Sequence, residues 1–223
     1  MRKGLFVNAM LRVSCGVVLL GLLLFLPAGT FDWWQGWLLM GVLFAPMFFA
    51  GLMMLWKSPE LLRRRLNARE AEGAQRRVIA SSGLMFLAAF VLAGLNRRFG
   101  WIVLPDAVSW VAAAVFLLGY LLYAEVLREN VWLSRTVEVQ DGQKVVDTGF
   151  YGVVRHPMYL STLLLFLSMP LILGSIPSLI VMLLYPIILR RRILNEEAVL
   201  LKGLEGYADY MKKVRYRVIP RIW

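Results

Sequence analysis

Four long apolar runs restrict the fold of this chain more than any other feature. They cover residues 5–26, 33–56, 78–95 and 108–127. Each is close to the roughly 20 residues that an α-helix needs to cross the hydrocarbon layer of a bilayer. Backbone N–H and C=O groups inside that layer have no water partners, so a long apolar segment satisfies them within a helix. The runs therefore predict four transmembrane helices in an integral membrane protein.

A fifth apolar stretch, residues 158–189, is too long for one crossing and contains Pro170, Gly174, Pro177 and Pro186. Its Pro- and Gly-containing centre is typical of a turn. Two short spans, 158–172 and 176–189, fit the stretch better, tilted or buried among the other helices. We therefore expect an all-α integral membrane protein with about six transmembrane helices, the last two forming a short hairpin that contains prolines.

The basic residues predict the orientation. With six spans and a cytoplasmic N-terminus, every lysine and arginine except Arg12, Arg97 and Arg98 lies in a cytoplasmic segment. This positive-inside pattern predicts that both termini are cytoplasmic, and we expect the membrane to be a bacterial inner membrane. The net charge of +11 indicates no nucleic-acid partner, because no aqueous domain is large enough to present it. Anionic lipid headgroups are the expected partner of the excess charge.

Three cytoplasmic segments follow from this orientation. Residues 58–77 begin with Ser-Pro-Glu and place leucines among arginines, which predicts an interfacial amphipathic helix. Residues 129–154 read as a loop with a turn at Asp141-Gly142, and residues 190–211 have apolar side chains at helical spacing. We interpret the chain as one membrane domain, with four spans in 1–128 and a cofactor-binding and catalytic region in 140–223.

Two polar clusters flank the proposed hairpin. His156, the only histidine, lies between Arg155 and Pro157 directly before it, and Glu196-Glu197 follow it. Because both ends of a hairpin meet at one face of the membrane, we expect the clusters to lie close together and to carry the chemistry. With one histidine and one cysteine, the chain offers little for a metal site, so we expect no metal.

Around these clusters the sequence reads Thr-Gly-Phe-Tyr-Gly-Val-Val-Arg-His-Pro-Met-Tyr at 148–159 and Asn-Glu-Glu at 195–197. It continues with Tyr-x-x-Tyr at 207–210 and Arg-Tyr-Arg-Val-Ile-Pro at 215–220. These segments, in this order, resemble the isoprenylcysteine carboxyl methyltransferase family, whose wider relatives include phospholipid N-methyltransferases. The resemblance covers about residues 140–223, whereas the four N-terminal spans match only in hydropathy.

The resemblance implies a membrane enzyme that uses S-adenosylmethionine and methylates a lipophilic small molecule or lipidated substrate, most simply the carboxylate of a prenylcysteine-like acid. It implies catalytic roles for Arg190 and Glu197. The residues that it implies for cofactor binding are Arg155, His156, Pro157, Tyr159, Glu196, Glu197, Tyr207 and Tyr210.

The chemistry of these side chains is compatible with that reading. The Glu197 carboxylate can accept charge-assisted hydrogen bonds from ribose hydroxyls, and the tyrosines offer aromatic faces to an adenine or a sulfonium. Arg190, where the last span meets water, is placed to hold an anionic acceptor. Simpler roles remain open: the glutamates could neutralise neighbouring arginines, and Tyr207 and Tyr210 could be packing residues.

Two other activities stay open at the level of sequence. A lipid-amine N-methyltransferase would use the same cofactor with a different acceptor. The other is an NADPH-dependent membrane reductase of the sterol reductase type, because such reductases end in a segment similar to Tyr216–Pro220. Met158 and the Glu196-Glu197 pair, however, depart from the reductase pattern. Ser161 also stands where methyltransferase relatives commonly carry glycine.

Overall fold

The computed structural model describes residues 2–66, 73–133 and 137–223. In these ranges the chain folds into nine α-helices and one 3-10 turn. The helices are α1 (Arg2–Ala28), α2 (Trp34–Lys57), α3 (Pro59–Leu66), α4 (Gly73–Phe99), α5 (Asp106–Glu129), α6 (Pro157–Ile172), α7 (Ile176–Met182), α8 (Tyr185–Gly203) and α9 (Tyr207–Lys213). The 3-10 turn is Gly149–Gly152.

Four helices are long and apolar enough to cross a membrane: Gly4–Ala28, Trp34–Lys57, Val78–Phe99 and Asp106–Glu129. Each contains most or all of one predicted run and extends beyond it by a few residues, so the four N-terminal helices and the assignment as an integral membrane protein are confirmed. The total of six spans stays a prediction, because the remaining apolar helix, Pro157–Ile172, has only 16 residues.

The second leg of the predicted hairpin is not one helix. The turn at Leu173–Ser175 is present, with Gly174 in the left-handed region at φ 65°, but α7 ends at Met182 and α8 begins at Tyr185. Pro186 provides the physical reason, because it has no N–H to donate to the carbonyl of Met182. From Tyr185, α8 continues without interruption to Gly203.

Two further predictions need correction. The predicted helix 58–77 is confirmed for Pro59–Leu66; residues 67–72 lie outside the described residues, and 73–77 belong to α4. The predicted helix 190–211 is broken between α8 and α9, where Gly206 has a φ of 79°, a conformation open to glycine because it lacks a Cβ. Within the predicted loop 129–154, residues 130–133 and 137–148 form no helix, and the turn at Asp141-Gly142 is observed.

The apolar core joins the N-terminal helices to the hairpin. Leu24, Phe116 and Ile172, from α1, α5 and α6, are fully buried in one cluster. At the end of the hairpin away from Pro157, Leu104 N–H donates to Gly174 O (3.0 Å), which ties the α4–α5 connection to the hairpin turn. A second cluster packs α6 and α8 against the C-terminal segment. The hairpin is therefore held at both ends, and its Pro157 end carries the candidate site.

Candidate functional site

A cleft lies where the start of α6, the middle of α8, α9 and the loop 130–146 meet. The cleft opens to solvent, and the volume in it that water-sized molecules can occupy is about 90 Å³. Its lining includes six residues predicted from sequence, namely Arg155, His156, Tyr159, Glu196, Tyr207 and Tyr210.

Glu197 lies behind the cleft in a buried ion cluster. Its Oε1 accepts from Nε and Nη2 of Arg155, both at 2.8 Å, and faces His156 Nε2 at 3.3 Å. Its Oε2 accepts from Arg217 Nε at 2.9 Å. A carboxylate offers about four acceptor positions, so these four contacts use its capacity. Glu197 is engaged by protein donors and does not line the cleft.

The ion cluster fixes the charge of Glu197. Burial alone would raise the pKa of this carboxyl, but hydrogen bonds from His156, Arg217 and Arg155 outweigh burial and lower the pKa to about 2. The carboxylate is therefore ionised across the physiological range. A buried carboxylate surrounded by cations is stable only as a complete set, because removal of one partner leaves an uncompensated buried charge.

His156 lies between the two glutamates. A carboxylate only accepts hydrogen bonds, so the ring nitrogen facing Glu197, Nε2, is the one that carries the proton. In the neutral ring Nδ1 is then an acceptor, and it lies 3.9 Å from Glu196 Oε1. Two acceptors at this separation beside the cleft suit a ligand group that carries N–H or O–H donors.

Glu196 is the glutamate that faces the cleft. About 22% of its side chain is exposed, against 4% for Glu197. Tyr159 Oη donates a short hydrogen bond to Glu196 Oε2 and accepts from Arg192 Nε at 2.9 Å. Tyr159 belongs to α6 and the other two to α8, so this chain of contacts holds the two helices together at the cleft wall.

Tyr207 and Tyr210, both on α9, differ in the hydrogen bonding of their hydroxyl groups. Tyr210 Oη donates to the carbonyl of Tyr151 at 2.8 Å. The Tyr207 hydroxyl is buried and has no hydrogen-bond partner among the described residues, and the residue is 4% exposed. Burial and the nearby carboxylates of Glu197 and Glu196 raise the pKa of Tyr207 well above its usual value. Tyr207 thus presents a permanently protonated, unpartnered donor to the cleft wall.

Arg190, predicted as the acceptor-binding arginine, is exposed and does not line the cleft. Arg192, two residues later, does. At 3.6 residues per turn, positions two apart face directions about 200° apart around the helix, so only one of the two can point inward. Pro157 is the first residue of α6, where its missing N–H costs nothing, and is a helix-start residue rather than a cleft contact.

Sequence reasoning missed three contributors to this site. The sequence indicates no role for Arg192 beyond the positive charge of its cytoplasmic segment, and it indicates Arg217 only as part of the family-like segment 215–220. The loop 130–146, which supplies nearly half of the cleft lining, has no periodicity that signals a binding surface. Within the described residues no group of three or more His, Cys, Asp or Glu side chains is arranged to hold a metal ion.

Residues 107–205 match the family model described as phospholipid methyltransferase. This stretch holds α5, the hairpin and all of α8, and therefore most of the residues at the cleft. The match confirms, for this part of the chain, the resemblance to membrane methyltransferases. Together with the four apolar helices, the match describes a membrane protein that is similar to phospholipid methyltransferases over residues 107–205.

Curated proteins of another activity also align in part. The chain is 30% identical over 91 residues to the Delta(14)-sterol reductase TM7SF2 of Mus musculus, covering 40% of this chain and 22% of that protein. It is 27% identical over 143 residues to the Delta(14)-sterol reductase of Arabidopsis thaliana, covering 56% and 38%. The chain thus spans less than two fifths of the length of these relatives.

Among solved structures, the eukaryotic intramembrane Ras methyltransferase ICMT (isoprenylcysteine carboxyl methyltransferase) aligns with 97% of this chain and 85% of its own chain. The TM-score is 0.48 and the sequence identity is 16%.

Proposed function

We propose that the protein is an S-adenosylmethionine-dependent membrane methyltransferase that acts on a lipophilic acceptor. The observation that carries the proposal is the match of residues 107–205 to the phospholipid methyltransferase family, together with the cleft on those same residues. We further propose that the cleft faces the cytoplasm, since the basic residues around it follow the positive-inside pattern.

The cleft residues fit the cofactor. Glu196 Oε1 and His156 Nδ1 are neighbouring acceptors, suited to ribose hydroxyls or to the amino group of the cofactor. The unpartnered Tyr207 hydroxyl is a donor for a cofactor acceptor such as its carboxylate. When bound, S-adenosylmethionine supplies an electrophilic methyl group on a sulfonium. Glu196, rather than the fully engaged Glu197, takes the ligand-binding role in this proposal.

The acceptor proposed here is the carboxylate of a prenylcysteine-like or other lipophilic acid. A carboxylate is already ionised and needs no general base, so the protein's contribution is to hold it in place. Arg192, at the cleft and fixed by Tyr159, is the arginine placed to do this, and Arg190 is its exposed neighbour. A guanidinium can align two carboxylate oxygens as a fork.

Direct binding tests the proposal. Calorimetry on the purified protein in detergent should show binding of S-adenosylmethionine. Glu196→Gln should weaken it by about tenfold or more, the effect of losing a hydrogen bond to a charged group. Glu205→Gln is the matched control, because Glu205 is exposed and outside the cleft. If Glu196→Gln and Glu205→Gln bind S-adenosylmethionine with equal affinity, the cleft is not the cofactor site.

A reductase is the second candidate, favoured by the partial alignment with two Delta(14)-sterol reductases. It predicts that NADPH binds to the same preparation and S-adenosylmethionine does not. Running both titrations side by side decides between the two activities. For the acceptor, Arg192→Ala should abolish methylation of a lipophilic acid with near-normal cofactor binding, whereas Arg190→Ala should not. The reverse result would restore Arg190 to the role predicted from sequence.

A further inference from the structure

The C-terminal segment 214–223 makes an unusual set of contacts with the cleft wall. Arg155 N–H donates to Tyr216 O at 2.9 Å, and His156 N–H donates to Arg217 O at 2.8 Å. Arg155 Nη1 also donates to Val214 O (2.7 Å) and Arg215 O (2.8 Å). The two residues that begin the site are thus fixed by their backbone and side chain to a segment about 60 residues later in the chain.

The segment closes on itself. The N–H groups of Arg217, Val218 and Ile219 all donate to Trp223 O, at 2.9, 3.0 and 3.2 Å. Val218 is fully buried in the apolar cluster between α6 and α8, and Trp223 packs against that cluster. The Arg217 guanidinium lies 5.7 Å from the centre of the Trp223 ring, within the range of a cation–π contact. We name residues 214–223 the C-terminal clasp.

Arg217 connects the clasp to the chemistry of the cleft. Its Nε holds Glu197 Oε2, which leaves Oε1 to face Arg155 and His156. If Arg217 were absent, the Arg155 fork could take both oxygens of the carboxylate, the usual bidentate geometry. The carboxylate would then turn away from His156, and Nδ1 of the ring would no longer be fixed as the acceptor facing the cleft.

We propose that the side chain of Arg217 is a positioning group for ligand binding and that the C-terminal clasp holds this side chain against Glu197. Arg217 orients Glu197, and through Glu197 it fixes the tautomer and the direction of the His156 ring. The inference rests on the proposed function for the identity of the ligand, but not for the state of the ring.

The first measurement needs no ligand. His156 is the only histidine in the chain, so the imidazole nitrogen resonances of protein labelled with 15N-histidine belong to one residue. At a pH where the ring is neutral, the parent protein should show the proton on Nε2. Arg217→Ala should shift the ring toward a mixture of tautomers. Arg215→Ala removes the same charge from the same segment, and because Arg215 contributes only its backbone carbonyl to the site, its spectrum should match the parent.

The second measurement is affinity for S-adenosylmethionine by calorimetry. Arg217→Ala should weaken binding by about tenfold or more, Arg217→Lys should recover part of the loss, and Arg215→Ala should not change it. A purely structural role for Arg217 would lower the melting temperature while the folded protein kept its ring tautomer and its affinity. That result, or equal losses in Arg215→Ala and Arg217→Ala, would overturn the proposal.

Two outcomes would complicate these measurements: a variant that does not fold, and a parent protein that does not bind S-adenosylmethionine. Each can be distinguished from a failure of the inference about Arg217. If Arg217→Ala does not give folded protein, Arg217→Met carries the test, because methionine keeps an unbranched side chain but removes the charge and the N–H donors. An altered ring spectrum with a melting temperature near that of the parent supports positioning, and a parent-like spectrum and affinity overturn it. If the parent protein does not bind S-adenosylmethionine, the proposed function fails, but the ring measurement still decides whether Arg217 positions His156.

Discussion

The unpartnered hydroxyl of Tyr207 gives the sharpest prediction, because the two effects of its removal have opposite signs. A buried polar group with no partner costs about 1–3 kcal/mol of folding stability. Tyr207→Phe removes that cost while keeping the ring that packs beside Leu204 and Tyr210. We therefore expect the ligand-free variant to be at least as stable as the parent protein and up to about 1 kcal/mol more stable, allowing for water that reaches the hydroxyl.

Binding should respond in the other direction. A donor aimed at a cofactor carboxylate contributes about 1.5–3 kcal/mol, so Tyr207→Phe should weaken S-adenosylmethionine binding by about tenfold or more. Thermal unfolding in detergent without ligand and calorimetry with it measure the two effects separately.

Tyr210→Phe is the matched control. Tyr210 Oη donates to Tyr151 O, so its loss leaves a buried carbonyl without its partner and should destabilise the fold by about 1–2 kcal/mol with little effect on affinity. If Tyr207→Phe instead destabilises the protein and binds as the parent does, the hydroxyl has a structural partner and the reasoning is wrong.

Three further predictions concern topology, packing and charge. Single cysteines at positions 30 and 176, in a Cys15→Ser background, should be labelled from outside the cell, and those at 141 and 205 only from the cytoplasm. Labelling of 176, which follows the hairpin turn, from the cytoplasm would contradict the hairpin. Gly94→Ala should lower the melting temperature, because its Cβ would lie 2.6 Å from the Leu24 carbonyl oxygen, whereas Gly83→Ala, with nothing within 4 Å, should not. Glu197→Gln should destabilise the protein by about 3–5 kcal/mol at neutral pH, since it leaves buried cations uncompensated. Because the folded pKa of Glu197 is lowered to about 2 from 4.5, the stability that it contributes is present above about pH 4.5 and is lost as the pH falls toward 2. Acid titration of unfolding should show this loss in the parent and not in Glu197→Gln.

The sequence predicted the helices that are long and apolar enough to cross a bilayer. Runs of about 20 apolar residues leave few alternatives to a crossing helix, so α1, α2, α4 and α5 were found with small errors at their ends. The hairpin turn was also predicted, because glycine and proline act locally. The break before α8 was not predicted from Pro186. A proline can end one helix or begin the next, and which of the two occurs depends on the neighbouring segment that covers the carbonyl left without an N–H partner.

The sequence predicted where along the chain the residues of the candidate site lie, but not which way their side chains face. Arg190 and Arg192 cannot be told apart from sequence, since the facing of each depends on the rotation of α8. That rotation is set by packing: Leu189 and Ile193 are buried against α6 and the clasp, which turns Arg192 to the cleft and Arg190 outward. The contact of Arg217 with Glu197 spans 20 residues and has no local signal.

The glutamate pair shows why direction matters for function. Consecutive residues on a helix point about 100° apart, so Glu196 and Glu197 cannot serve the same purpose. Glu197 enters the cluster of Arg155, Arg217 and His156 and has its acceptor capacity filled there. Glu196 reaches the cleft, where, among the described residues, Tyr159 alone forms a hydrogen bond to one of its oxygens. A carboxylate with acceptor capacity left over is what a ligand with hydroxyl or amino donors requires, whereas a saturated one can only orient its neighbours. Ligand affinity should therefore depend directly on Glu196, and on Glu197 only through His156.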